Sequence, residues 1–562
     1  MGSTQKQNPP FPYESFNTQR KHSYSWFSPE TGIYTSKHTS IQLPNNPFLD
    51  VVSFIFSHKH QGVSALIDSS SGCTISYTQL PELVKSIASG LHEIGISQGQ
   101  VALLLLPNTI YFPVIYLGVL SLGAIVTTMS PLSSFHEIKK RVSDCNVVLA
   151  FTISAHLEKI GKLGVQAIVV PETGDFDLSS TEFSCFSKLM LTNPNYMPRP
   201  VINQNDTAAI LYSSGTTGVS KGVVITHGNL IAMVVLFVQL GASQYDYPGW
   251  ENVYLAALPM FHVFGLSLLA TGLLSLGSTI IVMREFNVDE MVRAIDRYRV
   301  THFPLVPPIL MVLTRAKHVG SYDFGSLKQV MSGAAPLSKN TIQEFLENFP
   351  LVDFIQGYGM TESTAVGTYG FNTKEIRKYT SIGLLSPNME AKVVDYKTGY
   401  LMPPGEKGEL WLRGPGIMKG YLNDLDATLS TVDKDGWLHT GDVVHFDQDG
   451  FLYVSERLKE MIKYKGYQIA PADLENALIS HPEILDVAIT AATSKEVGEI
   501  PVAFVVKRPG SALSSADVIN YSSEQVAPYK RVRKVVFTNS IPRSAAGKIL
   551  RRELRSKMVS RM

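Results

Sequence analysis

A short bend that carries glycines, hydroxyl side chains and a lysine can hold phosphate. Ser213-Ser214-Gly215-Thr216-Thr217-Gly218-Val219-Ser220-Lys221-Gly222 is such a stretch, and it follows an apolar run beginning at Thr207. Glycine lets the backbone turn tightly and bring its N–H groups close to phosphate oxygens. The hydroxyls of Ser213, Ser214, Thr216 and Thr217 add donors, and Lys221 adds a cation. The spacing excludes a Walker A loop: Lys221 comes six residues after Gly215, and Gly222 stands where Ser or Thr would have to bind magnesium. A plain Gly-rich hairpin is the alternative, and the hydroxyl and lysine content argues against it.

Four more stretches carry polar groups at intervals along the chain. They are Gln356-Gly357-Tyr358-Gly359-Met360-Thr361-Glu362, then Thr440-Gly441-Asp442 with Arg457, then Lys463-Tyr464-Lys465-Gly466-Tyr467-Gln468, and Pro542-Arg543-Ser544-Ala545-Ala546-Gly547-Lys548 near the C-terminus. Taken alone, each reads as a turn or a solvated basic face. In this order, spread over most of the chain, the set resembles the acyl-adenylate-forming superfamily, which includes 4-coumarate–CoA ligases, acyl-CoA synthetases and beetle luciferases. The stretch Lys463-Tyr464-Lys465-Gly466-Tyr467-Gln468 looks most like the plant 4-coumarate–CoA ligase group.

The resemblance implies an ATP-dependent carboxylic acid–CoA ligase with ATP, magnesium and CoA as cofactor and cosubstrates. Acid and ATP give acyl-AMP and pyrophosphate, then acyl-AMP and CoA give acyl-CoA and AMP. It implies that Gln356, Gly357 and Tyr358 lie at the nucleotide, with the aromatic near adenine. Thr361 contacts the α-phosphate, Glu362 holds magnesium through ATP, and Asp442 takes the ribose hydroxyls. Arg457 and Lys459 sit at the nucleotide beside a hinge, and Lys463 touches AMP. Lys465, Gly466 and Arg284 face CoA. Lys548 enters from a mobile C-terminal domain and, with Lys221, Thr361 and Glu362, forms the catalytic set. Two departures stand out: Glu456 replaces the usual Asp before Arg457, and Glu285 occupies the place of a cation before Phe286, with Arg284 one residue earlier.

The same resemblance puts His262, Val263, Phe264, Leu268, Pro304, Gly333, Ala334, Ala365 and Val366 around the acyl group. Authentic 4-coumarate–CoA ligases usually carry Tyr at the Phe264 position and Ser at the Leu268 position. Both differences remove a hydroxyl, and a wall without those groups discriminates poorly in favour of a phenol. An apolar acid is expected: a fatty acid, an oxylipin of the jasmonate-precursor type, or a cinnamate or benzoate. A 4-coumarate–CoA ligase proper, a luciferase-like adenylating oxygenase and an inactive scaffold are the rival readings. CoA-dependent thioester formation and ATP–pyrophosphate exchange separate them.

The elements that must position these residues alternate. Strands are expected at Val101–Leu106, Val147–Thr152, Ala167–Val170, Thr207–Ser213, Thr279–Met283 and Lys328–Met331, with helices between them, so parallel sheets follow. Asn108 could cap the helix after the first. Ile110–Met129 is apolar, yet Pro113, Gly118 and Gly123 interrupt it and no basic flank adjoins it, which favours a buried helix running into a strand over a membrane span. Residues up to about Asn46 read as a polar arm over the surface. Short strands after Ala391 suggest a small β-rich unit. The fold class expected is α/β, with a large N-terminal domain of two α/β subdomains plus a β-barrel-like unit (1–455), hinged to a small mobile α+β domain (456–562).

Bulk properties agree with a multidomain globular protein. The chain has 562 residues, 44 % of them hydrophobic, and 49 basic against 48 acidic residues, a balance that gives no reason to invoke nucleic acid. Cys73, Cys145 and Cys185 form no metal-ligand pair and suit a reducing compartment. No secretory signal is expected, and Lys6 argues against myristoylation. Ser560-Arg561-Met562 resembles a C-terminal peroxisomal address, with an import receptor as partner; the cytoplasm is the alternative.

Overall fold

The computed structural model describes residues 24–559 except 178, 214–219, 246, 318–320, 371, 374–375, 465–466, 495–497, 527 and 545–546. Among the described residues the strands form four sheets. One runs in the order Gly420–Tyr421, Lys221–Thr226, Thr207–Ser213, Ile125–Thr128, Val101–Leu105, Val147–Thr152, Gln166–Val169. Its last five strands are parallel, and Lys221–Thr226 turns back antiparallel. The largest sheet has a parallel centre of Asp353–Tyr358, Gln329–Ser332, His302–Leu305, Val253–Ala256, Thr279–Val282 and Ser64–Asp68. Short antiparallel strands finish both of its edges.

The helix Tyr111–Ser121 is buried at every residue. That explains its all-round apolar sequence, because a helix with no polar face belongs in a core. Among the described residues no helix is long and apolar enough to cross a membrane. Asn108 does not cap it. Its side-chain amide donates to the carbonyls of Ala256 and Leu258 and accepts from the Met260 N–H. The polar side chain thus ties the end of Val101–Leu105 to the neighbouring sheet.

A six-stranded antiparallel sheet joins Phe27–Ser28, Ile33–Thr35, Glu390–Val394, Gly408–Arg413, Leu438–Phe446 and Leu452–Arg457. The expected surface arm is therefore corrected for residues 26–35, which enter the sheet, while none of residues 36–46 is buried. Tyr34 is fully buried, stacks on Phe446 with centroids 4.3 Å apart, and donates to the Met402 carbonyl at 2.7 Å. Burial of these aromatics outweighs the polar residues around them.

Pairing continues through Glu456 and Arg457, opposite Val443 and Asp442. The N-terminal sheet thus ends two residues beyond Ser455, and the turn Leu458–Glu460 makes the connection. The C-terminal unit has a five-stranded sheet and hydrophobic clusters confined to residues 462–558. A core of its own is what an independently moving unit requires.

Candidate active site

The strands Thr207–Ser213 and Lys221–Thr226 put Ser213 opposite Lys221, at the mouth of the Gly/Ser/Thr bend. Residues 214–219 of that bend, including Ser214, Gly215, Thr216 and Thr217, lie outside the described residues. Ser213 Oγ donates to Glu362 Oε1 at 2.6 Å, and Tyr421 Oη donates to the same oxygen at 3.0 Å. Lys221 Nζ lies 5.0 Å from the Tyr421 ring centroid. Glu362 is 3 % exposed. Two hydroxyls thus hold a buried carboxylate beside the bend.

The backbone around Glu362 is unusual. Thr364 and Ala365 have φ of 52° and 62°, and Ala334 across the cleft has 69°. Such conformations cost on the order of 1–2 kcal/mol per non-glycine residue and gather at functional sites. A Cβ at Gly359 would lie 2.4 Å from the Ala365 carbonyl oxygen, so the chain can fold back there through glycine.

Tyr358 ends the strand Asp353–Tyr358, at the carboxyl edge of the parallel sheet, where α/β folds bind ligands. Its hydroxyl donates to Asp442 Oδ2 at 2.6 Å. Burial, then the Asp442 charge, holds the Tyr358 hydroxyl well above its ordinary pKa. Arg457 Nε donates to Asp442 Oδ1 at 2.8 Å. Gln356 is buried and donates to the Tyr379 carbonyl at 2.8 Å.

The C-terminal unit contributes the loop around Lys548. Arg543 forks onto Asp486 at 2.9 and 3.1 Å. The Gly547 N–H donates to Ser544 O, and the Ser544 N–H to Lys548 O, both at 2.8 Å. Gly547 has φ +74°, and a Cβ there would sit 3.2 Å from Val306 and Pro308, which places the loop against the N-terminal body. Burial, then Arg457, pushes the Lys548 ammonium down to about 8, while Asp442 and Glu362 oppose the shift. His262 caps the helix Val263–Leu268, and burial, then Lys548, pushes it down to about 4. Lys459 is lowered by burial, then by Arg457. Lys548, Lys459, Arg457, Asp442, Glu362 and His262 therefore share one electrostatic neighbourhood.

A cavity of about 260 Å³ is lined by Ser220, Thr361, His262 and Val263 and by Arg141 and Tyr212. The last two were missed in the sequence. Arg141 is buried, lies 3.5 Å over the Tyr212 ring and donates to Thr128 O. The capping box Ser134–Glu137 marks its helix, but nothing local indicates that Arg141 turns inward.

Of the residues expected around an acyl group, Phe264 and Gly333 lie together: a Cβ at Gly333 would meet Phe264 Cε1 at 3.1 Å. Pro304 lies within His302–Leu305, and Val263, Ala365 and Val366 are buried. Leu268 lies deeper, on a second cavity. Arg284 pairs with Glu172 at 2.5 Å, with its side chain half exposed. Lys463 sits in the strand Ile462–Tyr464. Lys465, Gly466 and Ser560-Arg561-Met562 lie outside the described residues. Among the described residues no group of three or more His, Cys, Asp or Glu could hold a metal by itself.

Comparison with known proteins agrees with this geometry. Residues 56–422 match the family described as AMP-binding enzyme, and residues 473–548 match the AMP-binding enzyme C-terminal domain. The chain is 57 % identical over 554 residues to 4-coumarate–CoA ligase-like 6 of Arabidopsis thaliana, covering 98 % of this chain and 95 % of the relative. It is 46 % identical to the peroxisomal OPC-8:0-CoA ligase 1 of the same plant, covering 95 % and 97 %. The structure superimposes with a TM-score of 0.76 on O-succinylbenzoate coenzyme A synthetase from Bacillus subtilis in complex with ATP and magnesium, at 27 % identity, covering 90 % and 99 %. The chain belongs to the AMP-binding enzyme family of ATP-dependent adenylating proteins, and within it to the acid–CoA ligases of the 4-coumarate–CoA ligase-like group.

Proposed function

We propose that this ligase activates an apolar carboxylic acid in two steps. In the first, a carboxylate oxygen bonds to the α-phosphorus of ATP, the bond from that phosphorus to the bridging oxygen breaks, and pyrophosphate leaves. In the second, the sulfur of CoA bonds to the acyl carbon, AMP leaves, and the thiol proton passes to solvent.

Like charges meet in the first step, so cations must screen the approach. Lys548 and Lys221 supply them, and Thr361 and the hydroxyls of the bend donate to phosphate oxygens. Asp442 takes the ribose hydroxyls, and Arg457, Lys459 and Lys463 complete the nucleotide site. Glu362 is suited to magnesium: it is an oxygen ligand, and its Oε2 has no hydrogen bond among the described residues. Bound with ATP, the ion would neutralise phosphate charge.

The observation that carries this reading is the seat of the Lys548 loop against Val306 and Pro308, within the electrostatic reach of Asp442 and Glu362. That is an arrangement suited to adenylation. Rotation about Leu458–Glu460 would then withdraw Lys548 and bring Lys465 and Gly466 to the CoA path. Arg284, paired with Glu172, would need to release it to meet a CoA phosphate. The apolar side chains Phe264 and Leu268 favour a fatty acid, an oxylipin or an unhydroxylated cinnamate. Ser560-Arg561-Met562 and the peroxisomal relative support a peroxisomal location.

ATP–pyrophosphate exchange across an acid panel tests the first step, and mass spectrometry of CoA products the second. Exchange with no acid, or light emission in place of thioester, would refute the reading.

A further inference from the structure

The face of the largest sheet under the acyl pocket is graded. Strand registers align Tyr254, His302, Gln329 and Asp353 in one row, and Pro304, Met331 and Ile355 in the next. Side chains alternate along a strand, so Gly333 and Gly357 continue the same face at the top, with no side chains of their own. From Gly333 to Gln329 is four residues, about 13 Å at the usual strand rise. The top of this face is bare, the middle is apolar, and the bottom row is polar.

The rows are connected. Phe264 lies against Gly333 at the top. A Cβ at Gly357 would be 3.9 Å from both Met331 Sδ and Phe237 Cε2. Met331, Phe237 and Leu268 in turn line a second cavity of about 20 Å³, whose remaining walls include Asn252, His302 and Gln329. That volume holds one water-sized group. Phe237 comes from the π-helical segment Val234–Gln239, a geometry frequent at functional sites. Met331 has three rotatable bonds and can move aside for a chain.

Asn252 is the informative residue. It is 3 % exposed, and its Oδ1 has no hydrogen-bond partner among the described residues. The local fold does not use the amide, because the turn there closes through the backbone, from Asn252 N–H to Gly249 O and from Thr279 N–H to Asn252 O. Buried acceptors are nearly always paired, and this one borders a cavity with room for a donor. Its neighbours are already engaged: Gln329 donates to Tyr245, Tyr245 donates to Asp353, and His302 contacts Thr301 and Tyr247.

We propose that the acyl pocket continues past Phe264 down this face and ends on a polar floor at Asn252. The preferred acid is then a medium-chain aliphatic acid with a hydroxyl at its far end. The methylene chain passes Leu268, Met331 and Phe237, and the terminal O–H donates to Asn252 Oδ1. This rests on the ligase reading above and adds one polar group at the far end of the otherwise apolar acid.

The test compares straight-chain acids of increasing length with the same acids bearing a terminal hydroxyl, as kcat/KM for CoA thioester formation, in the wild type and in Asn252→Leu. At the matching length the hydroxyl should raise kcat/KM by about tenfold or more in the wild type, since a site built to hydrogen-bond a hydroxyl rejects the analogue without it. In Asn252→Leu that ratio should fall toward one, and the melting temperature should not drop, because an unpartnered polar group has been replaced by an apolar one. A wild-type ratio near one at every length overturns the inference without recourse to a variant. So does a ratio that survives Asn252→Leu. Activation of none of the acids in either series would overturn the inference, while the ligase reading would still be decided by ATP–pyrophosphate exchange across the wider acid panel.

Discussion

Arg457 ends the last strand of the N-terminal body and donates from Nε to Asp442 Oδ1 at 2.8 Å, directly across the ladder. The carboxylate is 2 % exposed and also accepts from Tyr358. One buried acid therefore ties Tyr358, at the end of the parallel strand, to the point where the chain leaves for the C-terminal unit.

Removing one partner of a buried pair leaves an uncompensated charge, at a cost of about 3–5 kcal/mol when the pair is fully enclosed. Arg457 is partly exposed, so on the order of 2 kcal/mol is expected for Arg457→Gln. The first thermal transition of this variant should fall by several degrees, and ATP–pyrophosphate exchange should weaken. An unchanged melting curve would show that the pair does not hold the site.

Lys548→Ala should reduce acid-dependent pyrophosphate release by about 10²–10³, the usual effect of deleting one charge-stabilising donor. Thioester formation from pre-made acyl-AMP should be largely kept. Equal loss of both half-reactions would point to damage beyond the Lys548 cation.

The Lys548 ammonium is held near 8, so the cation dominates below that pH and is lost above it. kcat/KM for ATP in the adenylation step, which reports the free enzyme, should fall as pH rises through about 8. Lys548→Arg, charged at all these pH values, should remove that limb even if its rate is lower. A wild-type limb near 10 would mean that Lys548 does not sit among Arg457 and Lys459 in solution.

Glu456 links the two units. Its carboxylate accepts from the N–H groups of Arg457 and of Ala472, in the first turn of Pro471–Ile479, both at 2.8 Å. Burial raises its pKa to about 7. A raised acid contributes stability that is complete below about 4.5 and lost as pH climbs toward 7. Stability should therefore fall by on the order of 3 kcal/mol across that window, less any opposing groups. Glu456→Gln should flatten the dependence; calorimetry from pH 5 to 8 decides it.

Several features were legible without a structure because their causes are local. The strand Thr207–Ser213 and the buried helix Tyr111–Ser121 follow from hydrophobic runs whose period and length leave little choice. The residues proposed to hold a nucleotide, from Lys221 and Glu362 to Asp442 and Lys548, stood out because the short stretches that carry them resemble, in the same order, those of the acyl-adenylate-forming superfamily. Sequence alone thus determined the strongly periodic elements and the chemical vocabulary of this ligase. Tertiary structure decided which groups meet: Tyr421 on Glu362, Arg141 over Tyr212, Tyr34 inside a sheet that local polarity assigned to solvent, Asn108 tied to a distant carbonyl, and Asn252 buried beside a cavity. The physical reason is range. Propensity and periodicity act over a few residues, whereas a buried polar group takes its partner from wherever the packed chain supplies one.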